Sequence, residues 1–264
     1  MHKRIYWFIS IFLVLSVYSF RISTERISLI FVSIYSIILH IAIIYTFFRY
    51  RIKDTGNETF EDCDDTAVSN GTAIKFSEIA LKEYEYARET AAQAMNDRHT
   101  LVNYFLIITG VVVTAAGTFF TDKMDLSGTP KSTIIEYLCV SHNFVGWIYY
   151  LKIIRLRQAW VGSAKAMNRI KEFFIHYGGV KQEIARKVFL WKSDSVPLPW
   201  KKSNVYYYSA VLIAFITSIS FTICWICALG IDNFTHLNMI FPLQFGLYHF
   251  IFQVTMYTVF LKEE

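Results

Sequence analysis

The chain has 264 residues and only four prolines, too few for a disordered or low-complexity protein. Its four cysteines, Cys63, Cys139, Cys224 and Cys227, build no framework either. Cys224 and Cys227 have the i, i+3 spacing of a metal or redox pair, but no second Cys or His pair accompanies them. Among Ile and Trp neighbours they read as buried packing thiols. Also missing are a Walker loop, a dinucleotide fingerprint, a nucleophile elbow and a His-Glu-x-x-His pair. These absences give a non-enzymatic reading, with no catalytic residue, no cofactor and no metal. An enzyme acting on lipid would need His and carboxylates clustered at one interface, and only His99 with Asp97 offers that.

What the chain has in abundance is apolar length. It is 54% hydrophobic and 17% aromatic, with a mean hydropathy of +0.35. A helix needs roughly 20 mostly apolar residues to cross a bilayer core of about 30 Å. Six runs approach that length: Ile5–Phe20, Ile27–Phe48, Leu101–Phe120, Ile134–Leu151, Val205–Leu229 and Met239–Leu261. The first follows His2, Lys3 and Arg4, yet Phe20-Arg21-Ile22 is a poor signal-peptidase site, so it is expected to stay as one arm of a hairpin. No aspartate falls in any run, and Glu136 is the sole carboxylate. That weighs against proton- or sodium-coupled transport, which relies on buried carboxylates or broken helices, and leaves a channel open.

Orientation follows from the 26 Lys and Arg residues. With the N-terminus in the cytoplasm, only Arg21, Arg26, Lys123 and Lys131 lie outside, as the positive-inside rule requires. The net charge of +5 then reflects topology and attraction to anionic lipid, not nucleic-acid binding. The expected fold is an all-α integral membrane protein, with six transmembrane helices, cytoplasmic termini and a cytoplasmic antiparallel helical stalk.

Five units divide the chain. Residues 1–53 form an N-terminal transmembrane hairpin ending in Arg49, Arg51 and Lys53. Residues 54–72 are an acidic linker carrying Asp54, Glu58, Glu61, Asp62, Asp64 and Asp65; its spacing does not match a calcium loop, and it reads as solvated. Residues 73–178 form a central helix–span–span–helix unit. Residues 179–204 are a basic segment in which Phe189, Leu190, Trp191 and Trp200 sit among Lys and Arg, suited to the membrane interface or to an acidic partner. Residues 205–264 form a second hairpin.

The central unit is the most informative. From Ile74 to Thr100 there is no Gly or Pro, Ser77 and Glu78 offer a cap, and the run enters the third span unbroken. One helix of about 45 residues is expected, its cytoplasmic part projecting roughly 35–40 Å. Beyond Leu151, Ile153, Leu156, Trp160, Ala164, Met167, Ile170, Phe174 and Tyr177 recur every three or four residues as one apolar face. Phe76, Ala80, Ala87, Ala91 and Ala94 offer a matching small-residue face for coiled-coil packing. Glu78, Glu83, Glu85 and Glu89 complement Arg155, Arg157, Lys165, Arg169 and Lys171, or are simply solvated.

Polar groups at hydrocarbon depth are the functional candidates, because each is costly there. They are His40, Glu136, His142, Asn143, Gln244, His249 and Gln253. His142, Asn143, Gln244, His249 and Gln253 are the candidate lining of a polar path, or else hydrogen-bond between helices. Asn96, Asp97, Arg98 and His99, where the stalk meets the third span, are a candidate gate or ordinary interfacial charges. Gly110, Thr114 and Gly117 form a small-residue stripe that permits close helix packing or oligomer formation.

The runs Glu83-Tyr-Glu-Tyr-Ala-Arg, Asn103-Tyr-Phe-Leu-Ile-Ile-Thr-Gly, Arg155-Leu-Arg-Gln-Ala-Trp and Ala166-Met-Asn-Arg-Ile-Lys-Glu-Phe give the central unit a bacterial look. In layout it resembles the SLATT-like small membrane effectors of nucleotide-signalling and antiphage systems. That resemblance covers residues 73–178 and implies an oligomer in the bacterial inner membrane that perturbs the bilayer when triggered. Two functions follow as expectations: a homo-oligomer that forms or gates a pore, or a scaffold anchoring a cytoplasmic protein through 75–100 and 153–202.

Overall fold

The computed structural model of the protein describes residues 70–120, 131–177, 196–202, 204–229 and 236–262, together with Ile34, Ile37, Ile38, His40, Ile41 and Tyr45, all six of them helical. Four long helices carry the fold: α1 (Asn70–Phe120), α2 (Lys131–Tyr177), α3 (Val205–Leu229) and α4 (His236–Leu261). No strand occurs among the described residues.

With 51 and 47 residues, α1 and α2 are about 70 Å long or more, over twice a bilayer core. No proline interrupts either one. α1 begins at Asn70, so Ser77 lies inside the helix instead of capping it. α2 starts directly after Pro130, which cannot itself donate to a helix ladder. α3 has a side-chain cap: the Asn204 Oδ1 accepts from the Tyr207 backbone N–H at 2.8 Å, satisfying one of the free donors of the first turn.

Thr109 meets His142, and Arg98 shares the ring of Tyr206 with Arg157, so α1 and α2 run antiparallel. α2 packs between α1 and α3, and α3 packs on α4. Outside the apolar spans, Ala80, Ala87, Ala91 and Ala94 are buried as the small-residue face expects. The facing stripe differs. Ile153 of that stripe is fully buried, but beyond it the most buried positions of α2 are Ile154, Arg157, Val161 and Asn168, a face turned by about one residue (roughly 100°) from the Trp160–Met167 face. Burial of a guanidinium and an amide there is the reason a purely apolar pattern misplaces the face. Glu78, Glu83 and Glu89 point into solvent, and Glu85 pairs locally with Lys82 at 3.3 Å.

The spans are inside-out. Ile107, Val111, Leu212, Phe215, Leu243, Leu247 and Ile251 face outward, while His142, Asn143, Thr217, Ser218, His249 and Gln253 are buried. In water such a surface would aggregate; against lipid tails it is well solvated. Three helices are long and apolar enough to cross a membrane, within Glu78–Phe119, Val205–Leu229 and Met239–Leu261. That marks a membrane protein with three candidate spans among the described residues, a number that does not reach the six expected. The run 134–151 is helical yet too polar to qualify alone, because Glu136, Ser141, His142 and Asn143 dilute it. The run 5–20, the linker 54–69 and the segment 178–195 lie outside the described residues, as does most of 27–48.

Candidate functional site

Midway along the spans, α2 turns a continuous polar ridge toward its neighbours. His142, Asn143, Trp147 and Tyr150 lie at spacings of one, four and three, on one side of the helix. Two glycines let the helices close around that ridge. A Cβ on Gly146 would overlap the Thr217 side chain of α3, and one on Gly246 of α4 would overlap Thr222 and crowd the Ser218 carbonyl. Only hydrogen fits at either position.

His142 bridges three helices. Its Nε2 lies 2.9 Å from Thr109 Oγ1 of α1, and its Nδ1 lies 2.7 Å from Ser220 Oγ of α3. The Thr109 hydroxyl already donates to the Phe105 carbonyl at 2.8 Å, so it accepts from His142. The network therefore assigns the proton of His142 to Nε2, with Ser220 donating to Nδ1. The ring of Phe105 stacks on His142 at 5.4 Å.

His249 carries the opposite tautomer. Its Nε2 accepts from Trp147 Nε1 at 3.0 Å and from Asn143 Nδ2 at 3.4 Å, and both of those atoms are donors only. The proton therefore sits on Nδ1, which donates to Ser218 Oγ at 3.2 Å. Asn143 also donates to the Thr217 carbonyl at 3.1 Å, and the Thr217 hydroxyl lies 2.8 Å from both Gln253 Oε1 and the Ile213 carbonyl, which share its one proton. The Tyr150 hydroxyl bonds the Gln253 carbonyl. Aromatic rings enclose the cluster: Phe221 stacks on His249 at 4.6 Å, and His40 stands edge-on to His249 at 5.8 Å and beside Phe252 at 4.6 Å. Gln253 is fully buried, yet its Nε2 has no hydrogen-bond partner among the described residues.

Four of the five expected polar-path residues thus converge: His142, Asn143, His249 and Gln253. Gln244 does not, because it is exposed on the outer face of α4. Of the expected gate, Asn96 and His99 are exposed and Asp97 is half-buried; Arg98 alone turns inward. No described residue approaches within 4 Å of a Cβ on Gly110 or Gly117, so the small-residue stripe is not used between the described helices. Glu136 and Cys139 of α2 and Cys224 of α3 are buried, and Cys139, Cys224 and Cys227 are all free thiols. Among the described residues no group of three or more His, Cys, Asp or Glu is placed to hold a metal.

Sequence reasoning missed Thr109, Trp147, Tyr150, Thr217, Ser218 and Ser220. Hydroxyls in apolar helices ordinarily bond the carbonyl one turn back, which hides them as partners. The signal was the density of Thr217, Ser218, Ser220 and Thr222 within two turns of α3.

A second cluster sits where α1 and α2 extend past the apolar spans. Arg98 lies 5.1 Å and Arg157 5.7 Å from the centre of the Tyr206 ring. Arg157 also stacks on Trp160 at 4.8 Å and donates to the carbonyls of Leu198 and Pro199, each at 3.2 Å. Burial lowers its pKa from the ordinary guanidinium value, which still leaves an arginine charged.

No protein family, no curated protein and no solved structure matches this chain.

Proposed function

We propose that the chain is a multi-pass, oligomeric inner-membrane protein that forms or gates a pore, and that the arrangement described is its closed state. In this reading α2 also spans the bilayer, shielded on either side by α1 and α3, and the runs 5–20 and 27–48 complete six spans. Both termini lie in the cytoplasm, on the side of the basic residues. The long helices α1 and α2 extend past the apolar spans as the sensing or assembly element, in the manner of a triggered SLATT-like effector.

The observation that carries this reading is the convergence of His142, Asn143, His249 and Gln253 on one buried polar network, in which the Gln253 Nε2 meets no acceptor among the described residues. A network serving helix adhesion alone gains by saturating every donor, since an unmet one costs about 1–3 kcal/mol. An unsaturated network at hydrocarbon depth is instead poised to exchange internal bonds for water or a passing ion. Ion and dye release from liposomes containing the purified protein, alone and with a cell lysate fraction, tests it. Release supports a pore; vesicles tight under both conditions defeat it.

One observation favours a second reading, a scaffold. Ile79, Leu81, Tyr86 and Met95 are exposed on α1 beyond its apolar span, where no lipid would cover them. A soluble protein co-purifying in fixed stoichiometry would support a docking role for 75–100 and 153–202.

A further inference from the structure

Two guanidiniums are buried around one tyrosine where the apolar spans end. Arg98 is 4% exposed, Arg157 2% and Tyr206 4%. They come from three helices, α1, α2 and α3, and Tyr257 of α4 lies close by, its hydroxyl 3.4 Å from Asn204 Oδ1. A buried cation is normally met by a carboxylate, because desolvating it alone costs several kcal/mol. Here no described carboxylate lies within ion-pair distance of either arginine, and the half-buried Asp97 beside Arg98 makes no such pair.

The partners they do have leave a deficit. Arg157 spends donors on the Leu198 and Pro199 carbonyls and its faces on Trp160 and Tyr206. Arg98 bonds only the neighbouring His99 Nε2 and lies over the Tyr206 ring, although a guanidinium carries five N–H donors. The hydroxyl of that Tyr206 ring is buried and has no hydrogen-bond partner among the described residues. Two uncompensated positive charges and one unused hydroxyl donor therefore share a small volume. The chain held by Arg157 continues into Lys201 and Lys202, both exposed, so the approach to the cluster is also cationic.

We infer that Arg98, Arg157 and the Tyr206 hydroxyl form a binding site for a phosphate group at the cytoplasmic boundary of the membrane. A phosphate oxygen accepts from all three donors and neutralises the paired charge. Arginine's planar fork suits that geometry better than lysine would. The phosphate belongs to an anionic lipid headgroup or to a small soluble phosphate. The inference is independent of whether the protein gates a pore or serves as a scaffold.

Thermal unfolding of the full chain in detergent tests it, with phosphatidylglycerol, phosphatidylcholine or inorganic phosphate added, on wild type, Arg98→Gln and Tyr206→Phe. Phosphatidylglycerol is expected to raise the midpoint where zwitterionic phosphatidylcholine does not. An equal rise with inorganic phosphate would assign the site to the soluble ion. Arg98→Gln should weaken the apparent affinity about tenfold or more, the worth of one charge-assisted hydrogen bond. Tyr206→Phe removes a hydroxyl that bonds no described residue, so it should fold normally and still lose affinity several-fold. It decides the matter if Arg98→Gln does not fold. The inference is overturned if neither anion shifts wild type, or if Tyr206→Phe responds as wild type does.

Discussion

Trp147 of α2 donates its indole N–H to the Nε2 of His249 of α4 across 3.0 Å, and that bond dictates which nitrogen of His249 holds the proton. With Asn143 also donating to Nε2, the imidazole is neutral and aims its Nδ1–H at Ser218. A single pair thus ties α2, α3 and α4 together. His249→Leu should leave the indole N–H without an acceptor and lower stability by about 1–2 kcal/mol, the upper range for hydrogen bonds between membrane helices. Adding Trp147→Phe to it should recover part of that loss, since removing both partners leaves no buried orphan. Thermal unfolding of the three variants in detergent measures the coupling, and strictly additive losses would show that the pair does not act as a unit.

Four glycines within the helices should behave in two classes. Gly146→Ala and Gly246→Ala force a methyl into Thr217 or Thr222, and each should destabilise by about 1–3 kcal/mol. Gly110→Ala and Gly117→Ala meet open space and should leave unfolding unchanged. Bulkier Gly110→Leu and Gly117→Leu would then alter oligomer size, read by light scattering, only if the α1 stripe joins copies of the chain.

For the pore reading, His142→Leu with Asn143→Leu removes the ridge that bonds Thr109, Ser220, Thr217 and His249. Release from liposomes should fall to the background of empty vesicles while membrane insertion persists. Undiminished release would take these two residues out of the conducting path.

For the scaffold reading, Ile79→Ser with Tyr86→Ser strips two exposed apolar side chains from the α1 surface. Neither packs against the core, so the change in stability should stay within about 0.5 kcal/mol. A bound cytoplasmic partner should be lost in pull-down; retention would place its contact elsewhere.

The helices were legible in the sequence because their causes are local. A long stretch without proline gives one continuous α1, and the alanines at 80, 87, 91 and 94 announce a face that packs closely. The polar positions were legible as well: His142 and Gln244 are both polar residues in otherwise apolar runs. Nothing local tells them apart, yet His142 bridges three helices and Gln244 faces outward.

Arg157 makes the same point beyond the apolar spans. Its sequence context offers a partner for the acidic face of α1 or a solvated charge, and it is buried against Tyr206 from α3, 49 positions later in the chain. Chain composition by itself determined which segments are helical and apolar, since propensity and hydropathy act over a few neighbouring residues. Only the tertiary structure decided how far each helix is rotated about its axis. That rotation is set by where glycines at 146 and 246 let the backbones approach, and it alone selects which polar groups meet.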